Sequence, residues 1–142
     1  MSNESQLNNV PIDQIKIGME ASYSQTITDA DIKNFAGVTG DKNPAHMNDE
    51  YAKETQFKER IAHGMLSASY FSTLLGMKLP GEGSIYVSQS LKFKKPVFIG
   101  DTVTATVIVT DVNLEKRRVF LRTLCKVKDE IVIDGEAQMY IP

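Results

Sequence analysis

The sequence predicts an α+β fold in one domain, an antiparallel sheet wrapped around a long central helix. Two observations carry that prediction. The stretch Ile61–Met77 contains neither Lys nor Glu and is apolar around most of a helical wheel, the mark of a helix buried on nearly every side. Everything after Pro80-Gly81 alternates apolar and polar residues in four runs, the mark of half-buried strands. A chain of 142 residues suits one such core rather than two.

Residues 1–20 read as a polar N-terminal arm with Pro11 and Gly18 and no sustained periodicity, leaving residues 21–142 as the domain. Tyr23–Ile27 is a short strand. Thr28-Asp29-Ala30-Asp31 then starts a helix, because a threonine cap with an acid three residues on satisfies free amides at both ends of the box. Ile32, Phe35, Ala36 and Thr39 form its semi-apolar face, and Gly40 stands where a left-handed C-cap is common. Asp41–Met47 is a loop held by Pro44, and Asp49–Phe57 a short second helix. The central helix spans Ala62–Met77, with Met65, Ala68, Phe71, Ser72 and Leu75 as one stripe. In the first C-terminal strand Ile85, Val87, Leu91 and Phe93 share a face opposite Tyr86, Ser88, Ser90 and Lys92. Val103–Val109, Val119–Val127 and Ile131–Ile141 supply the other three strands.

Composition narrows the function. Hydrophobic residues at 42% and charged residues at 24% argue against a disordered chain. Sixteen Lys and Arg against 18 Asp and Glu leave a net charge of −2, without the basic excess that phosphate-driven nucleic-acid binding needs. The single cysteine, Cys125, excludes an internal disulfide framework and a cysteine-rich zinc module. No run of 18 apolar residues occurs and Met1–Asn9 is polar, so a soluble, cytoplasmic protein without membrane contact is expected.

Chemistry concentrates in two places. In Gly40-Asp41-Lys42-Asn43-Pro44-Ala45-His46 a continuous helix would point Asp41 and His46 about 140° apart. Pro44 breaks that helix, so a folded loop can bring carboxylate and imidazole around one water, an acid–base arrangement. The same residues also read as a helix C-terminus followed by an Asx/Pro turn. In Ile61-Ala62-His63-Gly64-Met65, Gly64 stands near the start of the buried helix, where unpaired amides and the positive dipole end stabilise a developing oxyanion. His63 reads as a hydrogen-bonded structural residue.

These residues carry a resemblance. G-D-x-N-P-x-H, preceded by Phe35 and Thr39 and followed by Ala52, resembles the hydratase motif of MaoC-like (R)-specific enoyl-CoA hydratases. Ala62-His63-Gly64-Met65, Gln89-Ser90-Leu91-Lys92-Phe93 and Gly135-Glu136-Ala137 are similar to that family too, and the similarity runs from about Ile15 to the C-terminus. The resemblance implies a hot-dog fold, a homodimer or higher homo-oligomer, and an acyl-CoA thioester bound near the subunit interface without a metal or separate cofactor. It implies Asp41 and His46 as the catalytic pair and the Gly64 amide as the group that polarises the thioester carbonyl. Asn43 is expected to orient the loop or the Asp41/His46 pair, Ser72 and Leu75 to floor the acyl pocket (Leu75 otherwise packing in the core), Gln89 to line the site or bond within the core, and Lys94 and Lys95 to meet CoA phosphates. Ala45 stands where the family usually carries Leu, Ile or Val, a departure that would reshape the loop or pocket. Three rival readings are a hot-dog thioesterase, an iron site built from His46, His63 and Asp41 or Asp49, and a non-catalytic acyl-CoA-binding subunit.

Overall fold

The computed structural model describes residues 8–142. The chain runs through β1 (Glu20–Thr26), α1 (Asp29–Thr39), α2 (Pro44–Met47), α3 (Asp49–Lys53) and α4 (Gly64–Met77). Four strands follow: β2 (Ile85–Phe93), β3 (Thr102–Asn113), β4 (Arg118–Val127) and β5 (Glu130–Tyr140). They pair antiparallel throughout, in the order β1-β3-β4-β5-β2.

Helix α4 touches all five strands, so the sheet does wrap around it. Its buried arc is Leu66, Ser67, Ala68, Tyr70, Phe71, Leu74 and Leu75, wider than the predicted stripe, with Met65 and Ser72 left exposed. Val103, Ala105, Val107 and Val109 of β3, Val119, Leu121 and Cys125 of β4, and Ile133, Ala137 and Met139 of β5 complete the core. Truncating Phe71 to alanine in such a core removes about 3–5 kcal/mol. The outer face of β1 and β3 is closed instead by hydroxyl pairs, Ser22 with Thr106, Ser24 with Thr104 and Thr26 with Thr102.

Several boundaries differ from expectation, each for a local reason. The arm is not separate along its described part: Ile12 and Ile15 join the core and the Val10 amide donates to the Pro80 carbonyl, while residues 1–7 lie outside the described residues. The Asp41–Met47 loop contains the helical turn α2, started by Pro44 in the first helical position, where its missing N–H is harmless. Helix α3 stops at Lys53 rather than Phe57, and Lys58 turns the chain with a positive φ. Helix α4 starts at Gly64 because the preceding residues are held extended, Ile61 bridging Phe98 and the Ala62 amide donating to Val97. In β2 a bulge between Tyr86 and Ser88 breaks the alternation. Tyr86, Gln89, Leu91 and Phe93 therefore pair with the helix-facing positions of β5, and Ile85 and Val87 do not share their face.

Helix α1 is capped as predicted, with Thr28 and Asp31 exchanging both hydrogen bonds and Gly40 left-handed at φ 79°. The Gly135 of the Gly-Glu-Ala motif permits a close crossing: a Cβ there would lie 1.9 Å from the Ser90 carbonyl oxygen.

Burial raises the Cys125 thiol from its ordinary 9.0 to about 12 and the Tyr70 phenol from 10.0 to about 12. Between pH 9 and 12 the unfolded chain therefore releases protons that the folded chain keeps, so stability falls as pH rises. Denaturant melts at pH 8, 9 and 10 are expected to show that decline, and it should shrink in Cys125→Ala. Native protein at pH 8 is expected to resist a thiol reagent that labels Cys125 once the chain is unfolded.

Candidate active site

Asp41 follows the left-handed Gly40, and its position is set by side chains the motif placed around it. Thr39 Oγ1 accepts from the Asp41 amide at 3.1 Å while donating to the Phe35 carbonyl. Asp41 Oδ1 in turn accepts from the Asn43 amide at 3.2 Å. Asn43 caps α2, its Oδ1 accepting from Ala45 N–H at 3.0 Å, so it orients the loop as predicted. The half-buried Ala45 fixes the loop through its backbone, its carbonyl accepting from the Ile61 amide.

The two imidazoles are fixed by carbonyls. His46 Nδ1 lies 2.7 Å from the Ile61 carbonyl oxygen. A carbonyl only accepts, so Nδ1 carries the hydrogen and Nε2 of the neutral ring keeps a free lone pair. His63 Nε2 lies 2.8 Å from the Asp41 carbonyl oxygen, and its buried Nδ1 has no partner among the described residues. His63 is thus hydrogen-bonded and structural, as read from the sequence, and it holds the backbone of Asp41. Its ring stacks on His46 with centroids 4.0 Å apart and packs against Phe35 at 4.9 Å.

Arg60 was not singled out in the sequence, yet it anchors this loop. It is 9% exposed, donates through Nε to the His46 carbonyl at 2.7 Å, bonds Asp29 of α1 through one terminal nitrogen and lies 3.7 Å from Asp49 through the other. A charged side chain buried this far needs such partners, and its place just before the Ile-Ala-His-Gly run was the signal available. The hydrogen bonds from Lys33 and Arg60 hold the Asp29 carboxyl below its ordinary range.

Asp41, His46 and His63 place candidate donor atoms within 4.8 Å of one another. These are the donor types of a two-histidine, one-carboxylate centre. The two rings are stacked with planes 33° apart rather than fanned around a common point. Asp49, the other carboxylate considered, turns to Arg60. The set suits an acid–base pair with a supporting histidine better than a ligand cage.

His46 and Gly64 both line a cavity of about 460 Å³ whose wall is mostly apolar: Phe57, Ile61, Met65, Phe93, Val97 and Ile133. Lys94 and Lys95 stand on the same wall. Gly64 is the first residue of α4, and no bond engages its amide among the described residues. A Cβ there would lie 2.6 Å from the Phe93 ring, so glycine keeps this wall open. The remaining predicted residues lie elsewhere. Ser72 and Gln89 line a second cavity of about 520 Å³ between α4 and β2, together with Phe35, Met65 and Tyr86. Gln89 also bonds in the core, donating to Thr123 Oγ1 at 2.8 Å and accepting from the Tyr86 hydroxyl. Leu75 floors neither cavity: it is fully buried among the core side chains, because its stripe faces the sheet. Lys95 is paired with Glu130 at 2.9 Å, which leaves Lys94 as the cavity lysine without an ion pair among the described residues.

The MaoC like domain family matches residues 12–134. The chain belongs to that family. It is 57% identical over 130 residues to an (R)-specific enoyl-CoA hydratase of Rhodospirillum rubrum, covering 92% of this chain and 90% of the relative. Over 129 residues it is 43% identical to an (R)-specific enoyl-CoA hydratase of Aeromonas caviae, covering 90% of this chain and 96% of that one. Among solved structures it superposes on the Aeromonas caviae (R)-hydratase involved in PHA biosynthesis with a TM-score of 0.87 and 43% identity, over 90% of this chain and 98% of that one. The unliganded R-hydratase of Pseudomonas aeruginosa gives a TM-score of 0.89 at 41% identity, over 94% of this chain and 86% of that one. The hot-dog fold implied by the family's motifs is the fold observed.

Loss of the Arg60 anchor should be visible at His46 itself. In ¹⁵N-labelled protein, the neutral form of His46 is expected to show a protected Nδ1–H and an unprotonated Nε2. Arg60→Ala should erase that protection and lower stability by about 1–3 kcal/mol through the unpaired His46 carbonyl. A wild-type spectrum with the proton on Nε2 would contradict the assigned tautomer.

Proposed function

We infer that this chain is an (R)-specific enoyl-CoA hydratase, adding water reversibly to a trans-2-enoyl-CoA to give the (R)-3-hydroxyacyl-CoA. The observation that carries this reading is His46, which has a ring nitrogen within 4.8 Å of an Asp41 carboxylate oxygen and lines one apolar cavity with Gly64. The sequence relatives named for the same activity support it.

The chemistry follows from those groups. Asp41 and His46 hold one water; as its oxygen bonds to C3, the pair takes its proton, and the electrons of the C2–C3 double bond move toward the thioester oxygen. The Gly64 N–H, at the positive end of α4, meets the charge developing there. A proton then goes from the pair to C2, so the elements of one water are added and the enzyme is restored. Asn43 and His63 act by holding the Asp41 backbone and side chain in place. Metal and redox cofactors have no part in this sequence of steps, and dialysis against EDTA is expected to leave activity unchanged.

Lys94 at the cavity wall is the candidate partner for CoA phosphate. The protein works as a homodimer in the cytoplasm. Strand β2 is a free sheet edge, and Ile85, Val87 and Phe93 on it are each about half exposed, together with Met65 of α4. An apolar edge of this kind is covered in a stable protein, and a second copy is the cover proposed.

Asp41→Ala and His46→Ala are each expected to cut the loss of enoyl absorbance with crotonyl-CoA by 10²-fold or more while the protein stays folded. Product from the wild type should be oxidised by an (R)-specific 3-hydroxyacyl-CoA dehydrogenase. Release of free CoA instead would favour the thioesterase reading. Ile85→Glu combined with Val87→Glu should convert a dimer to a monomer in light scattering; an unchanged dimer would place the interface elsewhere.

A further inference from the structure

Phe35 precedes the Gly-Asp-Lys-Asn-Pro-Ala-His run and has no part in the steps above. It sits half-buried on α1. Its ring does not line the cavity shared by His46 and Gly64; it lines the second cavity, between α4 and β2. Any effect of that ring on the catalytic pair therefore passes through another residue.

That residue is His63. The Phe35 and His63 rings lie 4.9 Å apart with planes at 55°, and the His63 and His46 rings lie 4.0 Å apart at 33°. The three rings form a chain from α1 to α2 with His63 in the middle. His63 is 2% exposed, and among the described residues its ring makes one hydrogen bond, from Nε2 to the Asp41 carbonyl, while Nδ1 has no partner. One hydrogen bond fixes an edge of a ring and not its plane, so packing sets the plane of His63. His46 is held the same way: Nδ1 bonds the Ile61 carbonyl and the ring face rests on His63. The Phe35 backbone makes a separate link, its carbonyl accepting from Thr39 Oγ1, which accepts from the Asp41 amide. That link survives a change of side chain.

The structure assigns Phe35 a positioning role: its ring sets the plane of His63, and through it the plane of the His46 imidazole at the catalytic pair. This rests on the hydratase reading. Losing the ring misdirects the imidazole but leaves the wall of the His46–Gly64 cavity intact. The loss therefore falls on the rate of the chemical step and not on substrate binding.

The test measures kcat and KM with crotonyl-CoA in wild type, Phe35→Leu, Phe35→Tyr, His63→Gln and the double variant of Phe35→Leu with His63→Gln, with a thermal melt of each. Leucine keeps apolar bulk without a ring, tyrosine keeps the ring, and glutamine keeps an N–H donor for the Asp41 carbonyl without the ring. Should Phe35→Leu fail to fold, Phe35→Met, also without a ring, takes its place. Phe35→Leu is expected to lower kcat about tenfold with KM within about twofold of wild type. Phe35→Tyr should stay within about twofold of wild type in both. On the His63→Gln background, Phe35→Leu should lower kcat by no more than about twofold further, because its route to His46 is already gone. Exchange of the His46 Nδ1–H in ¹⁵N-labelled Phe35→Leu should be about fivefold faster or more. A KM that rises while kcat holds, a full further loss in the double variant, or unchanged exchange would each overturn the role. If the wild type hydrated no enoyl-CoA, the hydratase reading would fall. The exchange measurement would then decide the positioning role alone, as it would if His63→Gln were too slow to assay.

Discussion

Helix α2 has four residues, too few to be stable alone, yet it carries the imidazole on which the site depends. Beside the Ile61 amide on the Ala45 carbonyl, a pair of contacts to the segment Arg60–Ile61 holds its histidine. The Ile61 carbonyl takes the Nδ1 hydrogen of His46, and Arg60 takes the His46 carbonyl and ties it to Asp29 on α1. The first contact decides which nitrogen keeps a lone pair; the second decides where that lone pair sits. Because the same segment continues into His63 and Gly64, His46 and the Gly64 amide are positioned by one stretch of chain. A shift of α2 relative to α4 would have to break both contacts.

The sheet serves that arrangement by fixing where α4 begins. Residues just before the helix are pinned to the strand side through Ile61 and Ala62, so the first turn opens at Gly64 and not a turn earlier. Phe93 at the end of β2 packs where a Cβ on Gly64 would be. Gly135 lets β5 approach the Ser90 carbonyl of β2 closely, and Ser90 Oγ accepts from the Glu136 amide. The motifs scattered along the sequence are therefore one structural unit: a strand edge drawn in closely enough to shape the cavity around the helix N-terminus.

Much of this was legible in the residues. The capping box, the left-handed Gly40, the buried helix and the four alternating strands follow from local periodicity and cap chemistry, which a single chain displays openly. What escaped depends on contacts between distant segments. The bulge at Val87 reverses the facing of Tyr86 against Ile85, and nothing in an alternating run announces an extra residue. The place of Leu75 in the core and of Ser72 on a second cavity depends on which arc of α4 meets the sheet, and a helix apolar on nearly all sides leaves that arc undetermined. Arg60 was hidden because its partners, Asp29, His46 and Asp49, are spread over three helices that only tertiary folding brings together.

The cavity's scarcity of polar groups is itself functional. A water held by Asp41 and His46 in bulk solvent would compete with many others, and a single amide would do little for a developing enolate. Walls of Phe57, Phe93, Val97 and Ile133 exclude that competition and lower the local dielectric, so few dipoles act with more force. The same scarcity makes each polar atom consequential. His46 Nε2 and the Gly64 amide gain strength from the apolar surround. One physical property, the low polarity of the wall, thus supports the chemistry proposed for the few polar groups it surrounds.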